Sequence, residues 1–146
     1  MLAMQSTHVD HLAARPLNTL SGGEKARAHL ARALAQVWQP VDTYQTRWLL
    51  LDEPTAALDL QHQHRMLQLA RTWAQSQGIG VVAVLHDLNL ALRYSDSALV
   101  LANGQLLAQG ETPEVLSPER ISQVWGVMAH PVSRAGLLQY VFEPVF

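Results

Sequence analysis

The 146-residue chain contains no cysteine, so disulfide frameworks, thiolate zinc sites and thiol catalysis are excluded. Charge is sparse: 15% of the residues are Asp, Glu, Lys or Arg, against about 25% in an ordinary soluble domain. Part of the surface is therefore expected to face a partner. The net charge is −2 and no basic tract is present, which removes the electrostatic footprint of a nucleic-acid binder. Long apolar runs are missing too, and the longest aliphatic stretch, Ile79 to Leu85, is far too short to cross a bilayer. The first residues lack the basic-then-apolar pattern of a secretion signal, so the cytoplasm is the expected compartment. Lysine is almost absent: nine of the ten basic residues are arginines, and Lys25 is the only lysine. Any mechanism that needs a lysine elsewhere is closed to this chain. The 49% hydrophobic content is globular, and the length suits one domain or a large piece of one.

The pattern of apolar residues gives an α/β reading. Residues 1–19 read as the tail of a helix and a loop, with Leu2, Val9 and Leu12 loosely on one face and Arg15-Pro16 as the stop. Residues 21–37 read as a helix. Ser21 with Glu24 three residues later is a capping box, and Ala26, Leu30, Ala33, Leu34 and Val37 share a face. Trp48 to Leu51 is a short apolar run that predicts a strand buried on both faces, the habit of parallel sheets. Leu60 to Gln77 predicts an amphipathic helix, with Leu67, Ala70, Trp73 and Ala74 toward the core and Gly78 as its end. Val81 to Leu85 predicts a second buried strand, which makes a βαβ unit. Leu88 to Tyr94 predicts a short helix. Asn103-Gly104 between Ala98–Leu101 and Gln105–Ala108 is a hairpin signal. Thr112-Pro113 and Ser117-Pro118 both read as a helix N-cap followed by proline, the second helix ending at Gly126. Residues 127–146 are expected to add strands. His8 with His11, and His62 with His64, read as surface histidines and not as metal pairs. Trp38 and Trp48 bracket a polar loop and are expected to pack.

Three stretches carry chemistry. Leu20-Ser21-Gly22-Gly23-Glu24 places a serine and two glycines at a helix start, where exposed amides and the helix dipole suit a phosphate; an ordinary capped helix reads the same way. Leu49-Leu50-Leu51-Asp52-Glu53-Pro54 puts two carboxylates at the carboxyl end of a strand, where α/β sheets bind ligands. Adjacent residues on an extended chain point apart, so one carboxylate can face a metal shell and the other an attacking water; a solvated acidic turn is the plainer reading. His86 ends the next strand and can reach a phosphoryl group, although a lone histidine there is more often structural.

In this order the stretches resemble the motifs of the ABC-type ATPase family: its signature, its Walker B strand with catalytic glutamate, its D-loop at Leu58-Asp59 and its H-loop at His86-Asp87. Arg27 also stands where the family often has an arginine, and the resemblance covers roughly residues 1 to 126. It implies ATP and Mg²⁺ as cofactors. Ser21, Gly22 and Gly23 would contact the γ-phosphate of ATP held by the opposite subunit, with Glu24 in place of the family's more frequent glutamine. Asp52 would hold Mg²⁺ through water, Glu53 would be the general base, Asp59 would lie at the dimer seam and His86 would contact the γ-phosphate. No G-x-x-x-x-G-K-S/T loop occurs anywhere, and Lys25 lies inside the signature helix and cannot serve that role. The resemblance thus implies the C-terminal part of such an ATPase, beginning within its helical subdomain. On that reading residues 1–37 close the helical subdomain, 47–110 hold the core βαβ unit and hairpin, and 111–146 form C-terminal helices and strand.

Within the family, Leu51 to Leu60, Val84 to Ala91 and Gly104 to Gly110 look like importer ATPases for haem, siderophores and cobalamin. The loop from Gln39 to Arg47 adds to a likeness with haemin importers. That group implies a homodimer on two membrane permease subunits, fed by a periplasmic binding protein, at the cytoplasmic face of the inner membrane. DNA-repair-type ABC ATPases are the first rival, opposed by the absence of a sustained heptad. A non-enzymatic truncated fragment is the second.

Overall fold

The computed structural model describes residues 1–38 and 46–145, so most of the loop from Gln39 to Arg47 lies outside the described residues. The chain divides into two compact units, Met1–Leu85 and His86–Phe146.

The first unit opens with helix α1 (Leu2–Ser6) and two single 3₁₀ turns, Asp10–Leu12 and Leu17–Thr19. Helix α2 (Gly22–Gln36) follows, starting at the predicted capping box. It is wedged between two apolar clusters. Leu30 and Leu34 pack with Leu49, Met66, Trp73 and Ile79. Ala31 packs on another side with Val9, Leu12 and Leu20. The expected face, Ala26 to Val37, is the first of these. The second is built on small alanines, whose spacing carries little hydrophobic signal.

Strand β1 (Arg47–Leu51) runs parallel to β2 (Ile79–Ala83), with Leu49 opposite Val81, and helix α3 (Leu60–Gln77) makes the crossover. Gly78 closes α3 at φ 60°, the left-handed conformation that favours glycine. The second strand starts two residues earlier than expected and ends at Ala83, although the Val84 N–H still donates to the Leu51 carbonyl at 2.9 Å. Met66, Leu67, Ala70 and Trp73 of α3 are buried, and the Trp38 ring meets Trp73 edge-on at 4.4 Å. The Arg47 guanidinium donates to the carbonyls of Val37 at 2.7 Å and Gln77 at 2.6 Å. One cation thus caps the carboxyl ends of both α2 and α3, where helix carbonyls lack partners.

Burial of β1 on both faces is corrected by the structure. Leu49 is 3% exposed, but Trp48 is 56% and Leu50 74% exposed. Strand side chains alternate, and only the Leu49 face meets α2 and α3. Among the described residues nothing covers the Leu50 face, to which Val82 and Val84 add further exposed aliphatic surface. An apolar run reports that a strand can be covered twice; it does not say which segment covers it.

The second unit begins with α4 (Leu88–Tyr94), capped by Asp87, whose Oδ1 accepts from the amides of Asn89 at 2.8 Å and Leu90 at 3.1 Å. Strands β3 (Ser97–Ala102) and β4 (Gln105–Glu111) form the predicted hairpin, with Asn103 at φ 51° and Gly104 at φ 72° in its turn. Helices α5 (Thr112–Val115) and α6 (Pro118–Trp125) come next. Ser117 caps α6 as expected, but Thr112 does not cap α5. Glu111 takes that position, and the Thr112 hydroxyl, fully buried, donates to the Ser95 carbonyl at 3.1 Å. Strands β5 (Val127–Arg134) and β6 (Leu137–Pro144) close the unit as a hairpin. Ile121, Val100, Val115, Leu116, Ala129 and Tyr140 form its core with Leu88.

Asn89 ties α4 to β6. Its Nδ2 donates to the Tyr140 carbonyl at 3.0 Å and its Oδ1 accepts from the Tyr140 N–H at 2.7 Å, so one side-chain amide stands in for a neighbouring strand. Asn89→Ala leaves both Tyr140 groups unpaired, which is expected to cost about 1–3 kcal/mol in unfolding free energy by urea denaturation. An unchanged midpoint would show that solvent replaces the amide without loss.

Candidate functional site

Ser21 stands at the start of α2 in extended backbone, and two reciprocal hydrogen bonds fix it. Its N–H donates to Glu24 Oε2 at 2.7 Å, and its Oγ accepts from the Glu24 N–H at 3.3 Å. The hydrogen bonds from the Ser21 backbone and side chain hold the Glu24 carboxyl below its ordinary value, with smaller help from the charges of Arg15 and Arg27. Glu24 therefore serves the helix start as a cap, which is the plainer of its two readings.

Gly22 and Gly23 are the first two residues of α2, and neither has a positive φ. A Cβ on Gly22 would have Ala57 Cβ, at 4.0 Å, as its nearest neighbour beyond the helix, and one on Gly23 would meet only ordinary contacts at 3.6–3.7 Å. The fold itself thus has no need of glycine at either position. Glycine in a helix instead costs stability relative to alanine. What the pair provides is bare backbone: amides in the first turn have no acceptor within the helix, and no side chain screens them.

Beside this turn lies the loop that follows β1. Asp52 and Glu53 are both exposed at the carboxyl end of the strand. Glu53 has φ 44°, unusual for a residue with a side chain, and its carbonyl accepts from the Ala56 N–H at 3.2 Å. The chain thus turns sharply at the second carboxylate. The two acidic residues line a cleft of about 300 Å³ with Ala26, His29, Leu30 and Met66. Gly23 abuts Ala57 and Leu58, so the structure brings the Ser21–Glu24 turn and the 55–59 loop together.

Asp59 caps α3. Its carboxylate accepts from the His62 N–H at 2.9 Å and meets the His62 ring Nδ1 at 2.8 Å. The backbone and ring hydrogen bonds of His62 lower the Asp59 carboxyl, and the charge of Arg27 adds to this. Arg27, one turn into α2, faces both Glu24 and Asp59 electrostatically, and its buried Nε has no hydrogen-bond partner among the described residues. His86 is exposed in the second unit, just before the Asp87 cap of α4.

Sequence reasoning missed the part played by His62 and Gln63. The signal was present, since His62 stands three residues after an N-cap aspartate, the spacing of a reciprocal cap.

No protein-family model matches the chain. Curated relatives do. It is 52% identical over 132 residues to the hemin import ATP-binding protein HmuV of Aliivibrio fischeri, covering 88% of this chain and 49% of the relative. It is 53% identical over 134 residues to the protein of that name from Gloeobacter violaceus, covering 88% of this chain and 48% of the relative. The chain thus spans about half the length of the curated relatives it matches. Among solved structures, a metal-chelate type ABC transporter in an inward-facing conformation superposes with a TM-score of 0.81 at 30% identity, covering all of this chain and 55% of that one. A dimeric ATP-binding cassette bound to ADP and Pi in a post-hydrolysis state gives a TM-score of 0.66 at 29% identity, covering 76% of this chain and 44% of that one. The chain is therefore part of an ABC-type nucleotide-binding domain and belongs to the ABC ATPase family, with hemin import ATP-binding proteins among its relatives.

Proposed function

We propose that this chain supplies the signature turn and the catalytic carboxylates of an ATP-hydrolysing subunit that drives an importer, with hemin as the cargo. The observation that carries the reading is the glycine pair. Gly22 and Gly23 are unneeded by the fold, yet they leave bare amides at a helix start where a phosphate can approach.

On this reading Ser21, Gly22 and Gly23 hold the γ-phosphate of an ATP bound by the opposite subunit. The exposure of Asp52 and Glu53 at the end of β1 suits a hydrated cation and an attacking water. Mg²⁺, when bound with ATP, neutralises phosphate charge. Asp52 holds that ion through water. Glu53 accepts the proton of the attacking water, and His86 orients the γ-phosphate. Asp59 lies at the seam of a homodimer, a reading supported by the dimeric state of a structural neighbour. Segment 1–37 then closes the helical subdomain, 47–110 holds the core βαβ unit and hairpin, and 111–146 completes the C-terminal helices and strands. The subunit pairs with two membrane permeases at the cytoplasmic face of the inner membrane and is served indirectly by a periplasmic binding protein. Among the described residues no helix is long and apolar enough to cross a membrane.

The cargo is supported by the relatives' names and not by any residue of the site, because the ATPase subunit does not touch what is transported. Deleting the locus that encodes the chain is expected to abolish growth on haem as sole iron source. Normal growth on haem, with loss of siderophore use or cobalamin uptake, would move the cargo to those molecules.

A further inference from the structure

Two adjacent side chains at the start of α3 grip the loop that separates Glu53 from Asp59. Gln63 Nε2 donates to the carbonyl of Thr55 at 3.2 Å and to that of Leu58 at 3.1 Å. His62 brings Nδ1 to 2.8 Å and 2.9 Å of the two Asp59 carboxylate oxygens. A carboxylate accepts and does not donate, so Nδ1 must carry the proton in this contact. Two backbone bonds also fold the loop, Ala56 N–H to the Glu53 carbonyl at 3.2 Å and Leu58 N–H to the Thr55 carbonyl at 3.1 Å. Its other side rests on α2, where Gly23 packs against Ala57 and Leu58 and the Arg27 charge faces Asp59. Neither grip is required to start α3, because the Asp59 carboxylate already caps the His62 N–H.

We propose that His62 and Gln63 are positioning residues for ATP hydrolysis: together they fix the Thr55 and Leu58 carbonyls and the Asp59 carboxylate, and so hold the 55–59 loop against the signature turn. The proposal rests on the reading of Ser21, Gly22 and Gly23 as phosphate-facing and of Asp59 as partner-facing. Both side chains act through the loop and touch no phosphate. Their loss therefore misplaces groups that matter in the transition state while leaving the binding of ATP largely intact.

The test is steady-state ATP turnover by the full-length subunit, with thermal unfolding measured in parallel. Gln63→Glu is nearly isosteric but points a carboxylate at two carbonyls, and His62→Phe keeps a ring without the donor. Each is expected to lower kcat about tenfold with KM for ATP little changed, the scale of one lost charge-assisted or doubly used hydrogen bond. His62→Asn places an N–H donor near the ring Nδ1 position and is expected to recover most of the loss. The imidazole ¹⁵N shifts of His62 should report an Nδ1–H ring in the wild type and a shift toward Nε2–H in Asp59→Ala. Wild-type kcat in folded Gln63→Glu and His62→Phe proteins, or an unrescued His62→Asn, would overturn the proposal. If Glu53→Gln still abolishes turnover in the same assay, the functional reading survives that failure. Absence of turnover in the wild-type subunit would overturn both.

Discussion

Glu53→Gln in the full-length subunit is expected to lower ATP turnover by roughly 10²-fold or more while ATP binding and dimer closure persist. Glutamine keeps the size of the side chain and removes only its capacity to take a proton. The backbone makes the residue distinct from its neighbour. Asp52 directly follows Leu51, the last residue of the strand, whereas Glu53 turns to φ 44° and its carbonyl accepts from the Ala56 N–H. Both carboxylates line one cleft, and only Glu53 sits at this sharp turn of the chain. The turn depends on the Glu53 backbone, which glutamine retains, so the thermal unfolding midpoint should stay close to wild type. Normal hydrolysis by Glu53→Gln would remove the assignment of Glu53 as base.

Gly22→Asp is expected to be kinder to the fold than to the reaction. A Cβ at this position has open space, with its nearest neighbour at 4.0 Å. An aspartate in the first turn of a helix also interacts well with the dipole and gains over glycine in propensity. Stability should therefore hold or rise. The same carboxylate would lie over the bare amides proposed to receive the γ-phosphate, adding like charge where negative charge must bind. Turnover is expected to drop by about 10²-fold or more, the scale of losing a preorganised donor to a transferring group. Paired measurements of unfolding temperature and phosphate release separate the two effects. A stable Gly22→Asp protein with wild-type turnover would return the glycines to the status of an ordinary helix start.

Local chemistry was the part legible in the sequence. The Ser21–Glu24 capping box, the Gly78 and Gly126 helix ends and the Asn103-Gly104 hairpin are contests among a few neighbouring residues, and each appears where its pattern lies. The hairpin of β5 and β6 was hard to place because its turn uses Ala135 at φ 51° before Gly136, a conformation alanine does not advertise. Thr112 does not cap α5 because Ser95, 17 residues away, takes up its hydroxyl, and Glu111 stands at the N-cap without a side-chain hydrogen bond. Coverage of the β1–β2 sheet depends on segments brought from elsewhere, so Leu50 could not be told from Leu49 by composition. The same limit applies to the site. Asp52, Glu53, Ser21, Gly22 and Gly23 are proposed from motifs and His62 has a readable spacing after Asp59, whereas the grip of Gln63 on the Thr55 and Leu58 carbonyls emerges only when the loop folds back on α3.

The division of labour at the centre of this reading is tested most directly by Mg²⁺-dependent phosphate release from a purified, monodisperse sample of residues 1–146. The chain carries the signature turn and the carboxylates but no G-x-x-x-x-G-K-S/T loop, so the β- and γ-phosphates lack both a nest of amides and a lysine. Asp52 and Glu53 then stand together without the metal-nucleotide that balances their charge. The expected result is no measurable turnover and weak nucleotide binding by the chain alone. Phosphate release that proceeds in the 146-residue chain and disappears in its Glu53→Gln variant would contradict that division.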